Sequence, residues 1–172
     1  MKSTILKFGA CGLLCSFLLF QLAFIFGKSF SYSTQEVLGY LTIVLSLLFV
    51  FFGIQHFKKN VNGGQSSFAN GLLIGLSITA FVALGSAIAD YIFVAIINPD
   101  FAVDYTAYQP EQLQAKLSPA EFEVAKAELE AQMQSISSPF AMAAIMFVTV
   151  LLLGIIVALL SALLLRTKPS NQ

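Results

Sequence analysis

The chain has 172 residues, 58% hydrophobic and 10% charged, with zero formal net charge and a mean hydropathy of +0.84. A soluble domain carries about 25% charged residues, so this composition excludes an ordinary water-soluble globule. No basic patch of useful size exists, which excludes nucleic-acid binding as a function class.

The length fits one domain over residues 1–172. Lys2 and Lys7 flank the start of an apolar run at about residues 5–26. At about 1.5 Å per residue that run covers about 33 Å, enough for a hydrocarbon core of about 30 Å. It is longer than a signal-peptide core, and no small-x-small cleavage site follows it, so a retained span is expected. Phe8-Gly9-Ala10-Cys11 resembles a lipoprotein cleavage site, but too few apolar residues precede it. Cys11 and Cys15, four residues apart, share a helix face. Two thiols do not complete a zinc site, and buried, inert cysteines are expected.

A short polar connection leads to a second span at about residues 37–56, bounded by Glu36 and by Lys58-Lys59. His56, the single histidine, ends it and is expected among headgroups. Asn62-Gly63-Gly64 marks a turn. The third span, about residues 69–97, exceeds the bilayer and must tilt or emerge from it. Gly71, Gly75 and Thr79 recur on it every four positions.

Residues 98–138 form the long connection, opening on Asn98-Pro99-Asp100. Phe101, Tyr105 and Tyr108 suit interfacial anchoring. Asp100 and Asp104 read as solvated acids rather than a calcium site. Ser118-Pro119-Ala120-Glu121 is a capping box with proline at the first helical position. It predicts a helix to about residue 134, with Phe122, Ala125, Leu129 and Met133 as an apolar stripe. Glu123, Lys126 and Glu130 form its wetter face. Such a helix is expected to lie on the membrane or cap the bundle; a docking face or lid is the sharper alternative. The fourth span, about residues 140–165, opens with Pro139 and carries Gly154, Ala158 and Ala162. Small-residue stripes let helices approach closely in lipid. The two stripes are expected to point inward or toward a second copy.

The predicted fold is therefore all-α: a polytopic four-helix transmembrane domain plus one short amphipathic helix in the long loop. A soluble bundle is set aside, because its helices would be apolar on every side. Four spans put Lys2, Lys7, Lys58, Lys59, Arg166 and Lys168 on one side, with no acids. The other side carries Lys28, Lys116 and Lys126 among Glu36, Asp100, Asp104, Glu111, Glu121, Glu123, Glu128 and Glu130. Basic bias sets orientation, so both termini are expected in the cytoplasm and the acidic loop outside.

Asp90 is the one acid within a span. A charge at a helix centre costs about 2.5–3.5 kcal/mol on the insertion scale, and membrane acids often mark ion or proton pathways. Asp90 lies toward the outer end, where that cost falls. Gln21 sits at similar depth, making Asp90 and Gln21 a candidate polar intramembrane pair, with Ser86 and Tyr91 nearby. No G-x-S-x-G, H-E-x-x-H, Walker or Rossmann motif occurs. No catalytic, cofactor or metal residues are therefore expected, and a membrane enzyme is a distant reading. The first reading is a non-enzymatic bundle acting by interaction, as an accessory or envelope scaffold. Its partners would be the lipid bilayer and a membrane protein or a second copy. The alternative is a small transporter or channel with Asp90 near its outer mouth, although paired midplane polar residues are missing.

Several short stretches together cover nearly the whole chain. They are Gly12-Leu13-Leu14, Glu36-Val37-Leu38-Gly39-Tyr40 and Phe52-Gly53-Ile54-Gln55-His56-Phe57-Lys58. Asn62-Gly63-Gly64 with Ser67-Phe68 and Gly71, Pro99-Asp100-Phe101, and the Pro139-led span ending in Leu164-Leu165-Arg166 complete them. In these the chain resembles DUF4199, a family of unknown function common in Bacteroidetes. The resemblance implies a four-span bacterial membrane protein of unknown function and supplies no catalytic residues to carry over; the bacterial inner membrane is the expected location. It would place tyrosine at position 56, where this chain has histidine.

Overall fold

The computed structural model describes residues 1–27, 30–101, 103–104, 118–136 and 138–167, with backbone alone at 32, 130 and 132–135. Lys28, Tyr105, Tyr108, Glu111, Lys116 and Lys168 lie outside the described residues, as do the side chains of Glu130 and Met133.

Five helices follow in order: α1 (Lys2–Gly27), α2 (Tyr32–His56), α3 (Phe68–Ile92), α4 (Pro119–Ile136) and α5 (Pro139–Leu165). Serines start three of them. Ser31 accepts from Thr34 N at 3.4 Å, Ser67 from Asn70 N at 3.2 Å and Ser138 from Ala141 N at 3.2 Å. Each satisfies an amide that the first turn leaves without a carbonyl. At α4 the capping box closes from one side. Glu121 Oε2 accepts from Ser118 N at 3.1 Å and from Ser118 Oγ at 2.6 Å. Those bonds hold the Glu121 carboxyl below its ordinary pKa, the side-chain bond contributing most.

Helices α2 and α3 each run on through one π-helical turn, Phe57–Val61 and Phe93–Ile97. Asn62 N→Phe57 O (3.0 Å) and Asn98 N→Phe93 O (2.8 Å) close them. The Asn62-Gly63-Gly64 turn is present, with Gly63 at φ 59° and Gly64 at φ 83°, where L side chains are strained. The Ser31 cap starts α2 earlier than the hydropathy pattern suggests. Glu36 consequently lies inside the helix rather than in the connection before it.

Helices Lys2–Gly27 and Pro139–Leu165, with the continuous segments Ser33–Val61 and Phe68–Ile97, are long and apolar enough to cross a membrane. No strand occurs among the described residues. Helix α3 packs on α1, α2 and α5; α2 likewise touches the other three, whereas α1 and α5 make little contact with each other. The section is thus a rhombus with α2 and α3 on its short diagonal. On α1 the side chains of Leu14, Leu18, Leu22 and Ile25 face outward, while Gly9, Gly12 and Ser16 are buried together with Phe20. Small residues on an inward face suit a lipid solvent, where close backbone packing drives helix association.

That arrangement corrects one expectation. Cys11 is exposed on the bundle surface and Cys15 only half-buried, because glycines and serine take the inward face of α1. His56, the last residue of α2, is half-buried against α1, its ring 5.1 Å from that of Phe8.

The α3–α5 seam is the tightest part. All six small residues of the two stripes are buried. A Cβ on Gly71 would lie 3.2 Å from Ala162 Cβ, and one on Gly75 2.8 Å from Ala158 Cβ. One on Gly154 would overlap Thr79. Four steps up α3 match four steps down α5, an antiparallel register that fits backbone to backbone. Thr79 Oγ1 also donates to Gly154 O at 3.3 Å. The stripes face each other within one chain and leave no surface there for a second copy. Between α1 and α3, Ser16 Oγ lies 3.1 Å from Val82 O and can donate to it, and a Cβ on Gly85 would strike Leu13 O. Beyond the seam, Ser66 N donates to Thr167 Oγ1 and Thr167 N to Ser66 O, both at 2.9 Å.

Candidate functional site

Toward the far end of α3 the bundle opens. A cavity of about 380 Å³ lies among the ends of the four long helices. Helix α1 contributes Phe20, Ala23 and Phe24; α2 contributes Gln35, Glu36, Gly39, Tyr40 and Ile43. Asp90 and Phe93 come from α3 and its π turn, and Met142, Ile145, Met146 and Thr149 from α5. Phe101 and Ile136, the last residue of α4, complete the wall.

Helical spacing explains the set. Phe20 and Phe24, Glu36 and Tyr40, and Met142 and Met146 are each four apart and share a face. The aromatic rings form a ladder. Phe24 stacks on Phe93 at 4.0 Å and 16°, Phe20 approaches Phe24 at 5.7 Å, and Phe101 meets Phe93 edge-on at 5.3 Å.

Asp90 is only 9% exposed and borders this space. Among the described residues no hydrogen bond or ion pair meets its carboxyl. Keeping a carboxylate so enclosed costs free energy unless water or a ligand solvates it, and the cavity is the path by which either arrives.

The structure does not join Asp90 to Gln21. Gln21 follows Phe20 by about 100° around α1, which turns it off the cavity wall, and its Oε1 is buried without a hydrogen-bond partner. Nor do the other expected neighbours reach the carboxyl. Ser86 Oγ donates to Val82 O at 3.1 Å, and Tyr91 is 46% exposed. The polar groups brought to the cavity with Asp90 are Gln35, Glu36, Tyr40 and Thr149. Sequence reasoning missed them because Glu36 reads as a connection and Thr149 as one polar residue in an apolar run. The Glu36–Tyr40 spacing, at a depth matching Asp90, is the signal that finds them.

Asp100 and Asp104 are exposed, and Asp104 N donates to Asp100 O at 2.9 Å in a helical turn. Among the described residues no three His, Cys, Asp or Glu side chains gather as metal ligands would. On α4, Phe122, Ala125 and Leu129 are half-buried, while Val124 is 60% exposed.

An all-α bundle with four apolar helices of spanning length and a cavity between their ends is a membrane-protein architecture. The chain belongs to DUF4199, described as a protein of unknown function; the family model matches residues 7–167. No curated protein and no solved structure matches it.

Proposed function

We propose that this is a multi-pass protein of the bacterial inner membrane that works by interaction rather than catalysis, as an accessory or envelope scaffold component. Both termini lie in the cytoplasm and the acidic segment between α3 and α5 lies outside. The lysine distribution supports that orientation. Under it, the cavity faces outward and the α3–α5 seam lies toward the cytoplasm. The observation that carries the reading is the cavity itself, an aromatic and methionine-walled space with one enclosed carboxyl at its edge. Such concave, largely apolar sites with few polar groups bind ligands or partner segments.

A second reading, a small transporter or channel, draws on the same Asp90, since buried intramembrane acids serve ion and proton pathways. Proteoliposome flux separates the two. Loss of a flux on Asp90→Asn, with normal insertion, favours transport; a co-purifying partner with no flux favours interaction.

Orientation is tested in a background lacking Cys11 and Cys15. A membrane-impermeant maleimide added to intact cells should label Asp100→Cys and Val103→Cys but not Lys58→Cys. The reverse pattern overturns the orientation.

A further inference from the structure

We propose that the cavity is a binding site for an organic monocation with an apolar body, such as an alkyl or aryl ammonium or phosphonium. The inference rests on the reading above, that the protein works by binding, and names the ligand class for that site. Asp90 is nine-tenths buried, has no partner among the described residues and borders the space. Glu36, an exposed residue, lines the same space from α2, so both charged groups of the site are negative. Gln35, Thr149 and the Tyr40 hydroxyl are its uncharged polar groups, and the rest of the wall is apolar. A calcium ion takes six to eight oxygens and magnesium near-ideal octahedral geometry; among the described residues no three His, Cys, Asp or Glu side chains gather to hold either, and the wall around the two carboxyls is largely apolar. An organic cation sheds little hydration and needs one counter-charge and a greasy surface.

The wall provides that surface in the right form. Phe24 and Phe93 stack into a single aromatic slab, and Tyr40 stands on the Glu36 face. Aromatic faces attract cations within about 6 Å of the ring, more strongly where water is excluded. Met142 and Met146 close the other side. Unbranched thioether chains adapt to differing shapes, which suits a class of ligands rather than one. The volume of about 380 Å³ falls within the range of about 300–1,000 Å³ for small-molecule sites.

The test uses the full chain, purified in mild detergent, with radiolabelled tetraphenylphosphonium and the slimmer benzyltriethylammonium as probes. Protein-free micelles give the background. Saturable binding of at least one probe is expected. It should weaken about tenfold or more in Asp90→Asn, the scale of a lost charge-assisted contact. The isosteric anion tetraphenylborate should fail to compete. Ala23→Phe, which fills the cavity from α1, should abolish binding while Asp90 stays in place. It keeps the test decisive if Asp90→Asn does not stay monodisperse. The proposal is overturned by equal competition from tetraphenylborate. Unchanged affinity in a well-folded Asp90→Asn, or no saturable binding of either probe to monodisperse wild type, also overturns it. A failed probe experiment leaves the interaction reading standing, because that reading is judged separately by maleimide labelling, flux and partner capture.

Discussion

Helix α3 touches the same three long helices, yet its two ends are built by opposite rules. From Gly71 to Thr79 it meets α5 through small side chains at near-backbone distance, with Gly75 and Ala158 leaving no room even for a methyl group. From Asp90 onward Phe24 still stacks on Phe93, but with Tyr40 and Met146 these large side chains surround an open space. The difference teaches how side-chain size distributes function in lipid. Where residues are small, backbones meet and dispersion contacts hold the helices; where they are large and mismatched, packing fails and a site results.

The sharpest way to break this contrast is one substitution made at both ends. Gly75→Leu forces four carbons against the Ala158 backbone and should cost about 3 kcal/mol, the upper part of the overpacking range. Gly39→Leu, on the cavity-lining stretch of α2 where an added Cβ meets nothing within 4 Å, should cost nothing and gain up to about 1 kcal/mol in helix propensity. Detergent-titrated unfolding measures both, and similar losses would erase the distinction.

A smaller effect is expected beyond the seam. Thr167→Val removes the acceptor for the amide of buried Ser66 and should cost about 1 kcal/mol in the same assay. At the open end, Asp90→Asn should leave stability within about 0.5 kcal/mol, since no partner is stranded by the change. A drop as large as that of Gly75→Leu would show that the carboxyl is structural. The smallest effect lies outside the bundle. Glu121 has its carboxyl pKa lowered by the Ser118 hydroxyl and amide. Its contribution to the start of α4 is therefore present at neutral pH and is lost as pH falls through the acidic range. A fall in the protection factor of the Ser118 amide on acidification, absent in Glu121→Gln, would register it.

Much of the fold was readable because lipid imposes a coarse rule on sequence. Long apolar runs announce spans, and Pro139 and the Ser118–Glu121 capping box announce where two of the helices begin. The stripes Gly71–Gly75–Thr79 and Gly154–Ala158–Ala162 were visible too, but not their mutual pairing, since spacing along one helix says nothing about which neighbour it meets. The site was less readable for the same reason. Asp90 drew notice by its charge alone, whereas Glu36, Tyr40 and Thr149 become its neighbours only when three helices are assembled. Gln21 shows the converse: matching depth placed it beside Asp90, but rotation about α1 took it off the cavity wall.

The paired Ser66–Thr167 hydrogen bonds fasten the last residues of α5 to the entry of α3, at the end opposite the cavity. A clasp at one tip and a void at the other turn α5 into a lever with its fulcrum at Thr167. A small tilt about that fulcrum hardly moves Ala162 and sweeps Met142 through the widest arc. Any change in the tilt of α5 would therefore show first in the width of the cavity mouth and last in the glycine contacts at the fastened tip.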